Sequence, residues 1–405
     1  MVDKSPYPAQ IRALDLSGIT KVAAMGLGNP EILPLWFGES DLVTPKFIRD
    51  AATQALEEGK TFYTHARGIL KLREELAAFH KRSCGAEVAV ERITVPGAAM
   101  LAITCALQAL IEKSDAKGGD NIVIVSPIWP NIFQAARIAG AIPKMVRLEE
   151  DWNSGKWKLD LQKLFDACDA RTKAIFIASP GNPTGWMMSA AEQKQVLEFA
   201  RTKSIAIISD EVYGTLVYDG TPHAPSFLTI AEPDDAVFVI GSFSKPWAMT
   251  GWRIGWLVHP ASLAIAMGVM AQANNTGPAH FLQYGALAAL SPQGDVFRGQ
   301  LLARCAAGRD VVEDFLTGQN RIRWMKPDGA FYGFLQVDGL KDSLSFAQEM
   351  VRSVKVGVAP GTAFSLGDPR DDAYLRICFA QDAGKLAEGL GRIAEAVSPS
   401  HISLY

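Results

Sequence analysis

Apolar runs of six or seven residues, separated by segments with helical periodicity, dominate the chain between about residues 95 and 260. They are NIVIVSP (121–127), AIFIASP (174–180), IAIISD (205–210), AVFVIGS (236–242) and RIGWLV (253–258). Most are continuous rather than alternating, which predicts strands of a sheet covered on both faces. Helical patterns fit between them at 131–139, about 160–168 and about 189–202. The third opens with SAAE, where Ser189 and Glu192 have the spacing of a capping box. Strand–helix–strand alternation predicts an α/β fold with a mostly parallel, doubly wound sheet. The last two runs lie too close together for a crossover helix, so one of them is expected to be antiparallel.

Beyond about residue 290 the pattern changes. A long helix (roughly 294–317) leads into IRWMKPDGAFYGFLQV, a helix near 343–353, a strand at YLRICFA and a final helix. This predicts a smaller α+β domain. At 405 residues, 48% of them hydrophobic, the chain is too long for one ordinary core and too apolar for disorder. The 40 basic and 43 acidic side chains leave a net charge of −3 with no basic run, which argues against a nucleic-acid partner. Five scattered cysteines without a C-x-x-C argue against a disulfide framework and against a zinc site, so no metal is expected. MVDKSPYPAQIRALDL has no apolar signal region, and LAITCALQALI is too short and polar to span a bilayer. These features predict a cytoplasmic protein with no membrane partner.

In an open parallel sheet, ligands sit outside the carboxyl ends of the strands. Trp129 follows the first run, Asn182 the second and Ser242 with Lys245 the fourth, while Asp210 ends the third. Each alone has an ordinary reading: a core aromatic, a turn, a surface lysine, a cap. Together they bring an aromatic, an amide, a carboxylate, a hydroxyl and a lysine to one crevice. Two nucleotide readings fail. GLGNPE has Glu31 where a third glycine belongs, and the GKT at 59–61 has Gln54 at the required earlier glycine position. Lys245, in SFSKPW, has no acidic neighbour in sequence. Pyridoxal phosphate chemistry uses such a lysine for a Schiff base and an acid to partner the pyridinium nitrogen. Arg376 lies in an apolar strand, where a guanidinium needs an anion, and a structural salt bridge is the default reading.

SFSKPWAMTGWRIGW, with Arg253 eight residues after Lys245, resembles the lysine signature of the fold-type-I, class I/II aminotransferases. SPGNPTG, SDEVYG and YLRICFA resemble three further motifs of that family in the same order, and the likeness covers nearly the whole chain. The resemblance implies a pyridoxal phosphate-dependent transaminase that works by a ping-pong mechanism through a Lys245 Schiff base. It implies that Asp210 holds the ring nitrogen protonated, that Asn182 and Tyr213 bond the ring 3-oxygen, and that Trp129 stacks on the ring. Ser242, Ser244 and Arg253 would bind the phosphate, with backbone N–H groups at Gly97, Ala98 and Ala99. Here the sequence departs from the family, because Ala98 and Ala99 offer no polar side chain. Arg376 and the backbone of Gly38 would take the substrate carboxylate, beside Trp129 and Asn182. FYTHARG resembles the segment whose tyrosine, here Tyr63, reaches the phosphate of a neighbouring subunit, which implies a homodimer. The implied domains are residues 1–45 (N-terminal arm and part of the small domain), 46–290 (the large cofactor-binding domain) and 291–405 (the small C-terminal domain). A C–S lyase or an aminocyclopropane-carboxylate synthase on the same fold is the alternative, since these differ only in pocket shape. The sensing domain of a transcription regulator would need a DNA-binding domain for which the N-terminal residues leave no room. No second arginine can be assigned to a dicarboxylate substrate; the nine tryptophans, Trp36, Trp186, Trp247 and Trp252 among them, raise a reading of aromatic substrates, but most read as core.

Overall fold

The computed structural model describes residues 6–7, 9–112, 119–397, 402 and 405; the opening residues read for a signal region lie partly outside them. Seven strands form the main sheet: β1 (Ile93–Gly97), β2 (Asn121–Ser126), β3 (Ile142–Arg147), β4 (Thr172–Ala178), β5 (Ala206–Asp210), β6 (Val237–Ser242) and β7 (Gly255–Val258). Their order across the sheet is β1-β7-β6-β5-β4-β2-β3, and only β7 runs antiparallel to its neighbours. The short β6–β7 connection is therefore antiparallel, as the spacing requires.

Both faces of this sheet are covered. Val123, Ile175, Ile207 and Val239 pack into one core, while Ile124, Phe176, Ile208 and Phe238 pack into another. Strands buried on both sides need apolar residues at every position, which is why the runs are continuous. The hydrophobic runs passed over two strands. β1 lies at one edge, and β3, the other edge, contains IPKMVR, with a lysine and a proline suited to an edge but not to an interior strand. The helix Ala190–Lys203 opens with the reciprocal capping box of Ser189 and Glu192.

A four-stranded antiparallel sheet follows, made of β8 (Ile322–Trp324), β9 (Tyr332–Val337), β10 (Ala359–Pro360) and β11 (Tyr374–Cys378) in the order β8-β9-β11-β10. Its own core includes Leu335, Val337, Leu375 and Ile377. The segment around Trp36 joins this region: Leu33–Pro34 pairs in parallel with Val356–Gly357, and the Cys378 N–H donates to Leu35 O at 3.0 Å. That pairing carries Gly38 to the rim of the main sheet, beside the strand that holds Arg376.

Candidate active site

The carboxyl ends of β2, β4, β5 and β6 open into a cleft of about 200 Å³. Trp129, Asn182, Asp210, Tyr213, Ser242, Ser244, Lys245 and Arg253 line it, with Ala99 from the helix that follows β1. Gly38 and Arg376 close it from the side of the smaller sheet. Gly97, Ala98 and Tyr63 do not line this cleft. They lie on an adjoining hollow of about 860 Å³ that also contains Arg253. Tyr63 is 89% exposed.

Lys245 has no carboxylate partner among the described residues; its Nζ donates to Gly38 O at 2.7 Å. Burial brings its amine down to about 8, and the cations Arg376 and Arg253 push the same way, against Glu39. Asp210, at the end of β5, is pushed up to about 6 by burial, despite the Val212 N–H at 3.3 Å and the charge of Lys245. The Tyr213 hydroxyl shares a hydrogen bond with that of Tyr332 at 2.6 Å, and burial first, then Tyr332, raises its phenol well above the usual range.

Arg376 is 2% exposed and makes no salt bridge among the described residues, so the structural ion pair favoured for an isolated buried arginine is not found there. It donates to Asn182 Oδ1 at 3.2 Å and to the Trp36 carbonyl, and stacks over the Tyr332 ring at 4.6 Å. Its Nε has no hydrogen-bond partner among the described residues. A buried guanidinium without a carboxylate is unbalanced until an anion arrives.

At the opposite end, the Ser242 Oγ accepts the Ser244 N–H at 3.1 Å, and Arg253, in the left-handed region at φ 55°, donates to Thr250 O at 2.7 Å. The helix Ala99–Leu110 begins at Ala98 with no side-chain cap, leaving N–H groups available to an anion. Gly97, at φ 129°, allows the chain to turn there; a Cβ would come within 2.9 Å of Asn275 Nδ2.

A sequence profile of the family described as aminotransferase class I and II matches residues 30–393. The chain belongs to this family. It is 31% identical over 372 residues to a probable aspartate/prephenate aminotransferase of Aquifex aeolicus, covering 91% of each chain. It is 32% identical over 378 residues to a probable aspartate aminotransferase of Methanocaldococcus jannaschii, covering 91% of this chain and 94% of that one. Among solved structures, aspartate aminotransferase from Thermotoga maritima superposes with a TM-score of 0.86 at 28% identity, over 96% of this chain and 99% of that one. The protein is thus a pyridoxal phosphate-dependent transaminase of fold type I, and the relatives are named as aminotransferases rather than lyases. No helix among the described residues is long and apolar enough to cross a membrane.

Sequence reasoning missed Tyr332 and Trp36 as parts of this aminotransferase's cleft. Tyr332 explains why position 38 is glycine: a Cβ there would stand 2.0 Å from the Tyr332 hydroxyl. Nothing local to either residue signals that contact, because they meet only through the pairing of the N-terminal segment with the smaller sheet.

Proposed function

We propose that the cleft holds pyridoxal phosphate at Lys245 and transfers the amino group of an L-amino acid to a 2-oxo acid in two half-reactions. The observation that carries these assignments is one cleft holding both a buried lysine amine whose recorded hydrogen bond goes to a backbone carbonyl and a buried carboxyl with a single long backbone donor. Burial lowers the amine to about 8 and raises the carboxyl to about 6. A desolvated amine near neutrality is a competent nucleophile and base. A carboxylate with a single long backbone donor retains capacity for a cationic N–H, whose charge would hold it ionised. The donor set therefore fits the cofactor at both its reactive edge and its ring nitrogen.

When bound, pyridoxal phosphate supplies an electrophilic carbon and an electron-withdrawing ring. The remaining work belongs to the chain. Lys245 Nζ would hold the cofactor and serve as the base for the substrate Cα proton, and Asp210 would keep the ring nitrogen protonated. Asn182 and Tyr213 would serve as donors to the ring 3-oxygen, and Trp129 would hold the ring by stacking. Ser242, Ser244, Arg253 and the N–H groups at Gly97–Ala99 bind the phosphate. Arg376, with the Gly38 backbone, binds the substrate α-carboxylate as a fork.

Borohydride reduction of the holoenzyme followed by peptide mapping tests the assignment. One modified peptide containing Lys245 is expected, and fixation to another lysine would overturn it. We further propose a cytoplasmic homodimer whose phosphate sites are completed by the partner subunit's Tyr63; the five free thiols suit a reducing compartment. The exposure of Tyr63 beside Arg253 supports that dimer. Mixing Lys245→Ala with Tyr63→Ala should regenerate activity, because a hybrid dimer collects both lesions in one site and leaves the other intact. Confirmed subunit exchange without rescue would exclude a shared site.

A further inference from the structure

Six side chains that line the cleft have no part in the roles above, and together they make its apolar lining. They are Ile19, Trp36, Phe37, Met100, Ile103 and Tyr332, all uncharged. Tyr332, the only one with a hydroxyl, already commits it to Tyr213 at 2.6 Å. Among the described residues of this chain, the cations lining the cleft are Lys245, Arg253 and Arg376. On the reading above, each is occupied: Lys245 with proton transfer, Arg253 with the phosphate and Arg376 with the α-carboxylate. Arg376 has little left to offer a second anion, since it also donates to Asn182 and to the Trp36 carbonyl. The start of the helix beside the cleft presents the methyl groups of Ala98 and Ala99 rather than a cation.

The remaining charge nearby has the wrong sign for an acidic side chain. Glu39 accepts from Thr250 Oγ1 at 2.8 Å and lies close enough to Lys245 to act on its amine. A substrate bringing a second carboxylate would leave it desolvated against apolar side chains, without a cationic partner among this chain's lining residues and near a like charge. An uncharged side chain of similar or larger size would instead gain from the same lining.

We infer that this aminotransferase takes L-amino acids with large uncharged side chains, aromatic or branched aliphatic, and discriminates against aspartate and glutamate. This rests on the transaminase reading of the cleft and separates the chain from those relatives whose names carry aspartate. Discrimination of this kind comes from the pocket alone, because Arg376 treats every α-carboxylate alike.

The test is a set of single-turnover half-reactions with the holoenzyme, following the absorbance of the bound cofactor with phenylalanine, leucine, alanine and aspartate in turn. The second-order rate constant for phenylalanine should exceed that for aspartate by at least about a hundredfold. Aspartate reacting as well as phenylalanine would overturn the specificity inference and leave the transaminase reading standing. If no amino acid changed the cofactor spectrum, the transaminase reading itself would fall, and the inference with it. Phe37→Ala supplies a second arm: the ratio of phenylalanine to alanine rate constants should fall about tenfold. An equal loss on both substrates would make Phe37 a packing residue and remove the apolar lining from specificity. Should Phe37→Ala fail to fold, the same ratio is read on Met100→Ala, whose side chain is half-buried and lines the same cleft.

Discussion

Asp210 and Glu211 are consecutive buried carboxyl groups at the end of one strand, and they occupy two different environments. Asp210 lines the cleft beside Lys245, and the hydrogen bond recorded to its carboxylate is a 3.3 Å contact from the Val212 N–H. Glu211 lines a small void with His80, Thr215 and His223. There its Oε1 accepts from Ser209 Oγ at 2.9 Å and from the Phe227 N–H at 3.2 Å, and Ser226 adds a further bond. Burial raises both groups, Asp210 to about 6 and Glu211 to about 7. The perturbation is alike; the satisfaction is not. A buried carboxyl that the protein has already bonded is structural, whereas one left with spare acceptor capacity in a cleft is positioned for a ligand.

The largest expected effect separates the two by activity. Asp210→Ala should lower the first-order rate of the half-reaction by about two to three orders of magnitude, the scale seen when a preorganised electrostatic partner is removed. Glu211→Gln, which keeps the shape and most of the acceptor geometry, should stay within a few-fold of wild type. Stopped-flow half-reactions on the two variants make the comparison directly. If Glu211→Gln were as damaging as Asp210→Ala, the contrast between the two environments would carry no functional meaning.

This contrast also marks where the sequence stops being legible. A half-buried strand announces its inward face by alternation, but β5 is covered on both sides and its residues are apolar throughout until the serine. Periodicity in IAIISDE therefore cannot say which acid faces the cleft; the strand-end rule points to Asp210, and its role at the ring nitrogen comes from the likeness of SDEVYG to a family motif. Local signals were readable, such as the capping box at Ser189, because both partners lie within one turn. The strand-end rule placed Trp129, Asn182, Asp210 and Lys245 correctly on one cleft because it depends only on topology. The lining by Trp36 and Tyr332 could not be read, since it is built from segments nearly three hundred residues apart. A separation of 207 residues likewise hid the contact from Gly38 to Lys245.

An intermediate effect concerns stability, where Glu211 should dominate its own variant. An unfolded glutamate releases its proton near 4.5, whereas the buried Glu211 does so near 7. Between those values the folded state binds more protons, so stability falls as pH rises. The contribution is fully present below about 4.5 and lost by about 7, and for a fully buried group it amounts to on the order of 3 kcal/mol. Glu211→Gln cannot titrate and should show a shallower decline in melting temperature from pH 4.5 to 7 than wild type. Asp210 titrates in both proteins, so its share of the decline is common to them apart from its weak charge coupling to Glu211. Parallel curves would mean that Glu211 does not titrate in this window.

The smallest effect is the most discriminating, because it changes a partner of Glu211 and touches neither carboxyl. Ser209 is fully buried in β5, and its hydroxyl serves Glu211 Oε1. Ser209→Ala removes one donor to the ionised form, which should cost about 1 kcal/mol near neutral pH. With less support for its charge, Glu211 should hold its proton to higher pH, so the stability decline should extend upward rather than flatten as in Glu211→Gln. The half-reaction rate should remain within about twofold of wild type, since the lost bond lies on the face away from Lys245. Chemical denaturation at two or three pH values, read beside stopped-flow rates, measures both. A Ser209→Ala enzyme that kept its stability and lost its rate would join the two faces of β5 into one catalytic unit and reverse the division drawn between Asp210 and Glu211.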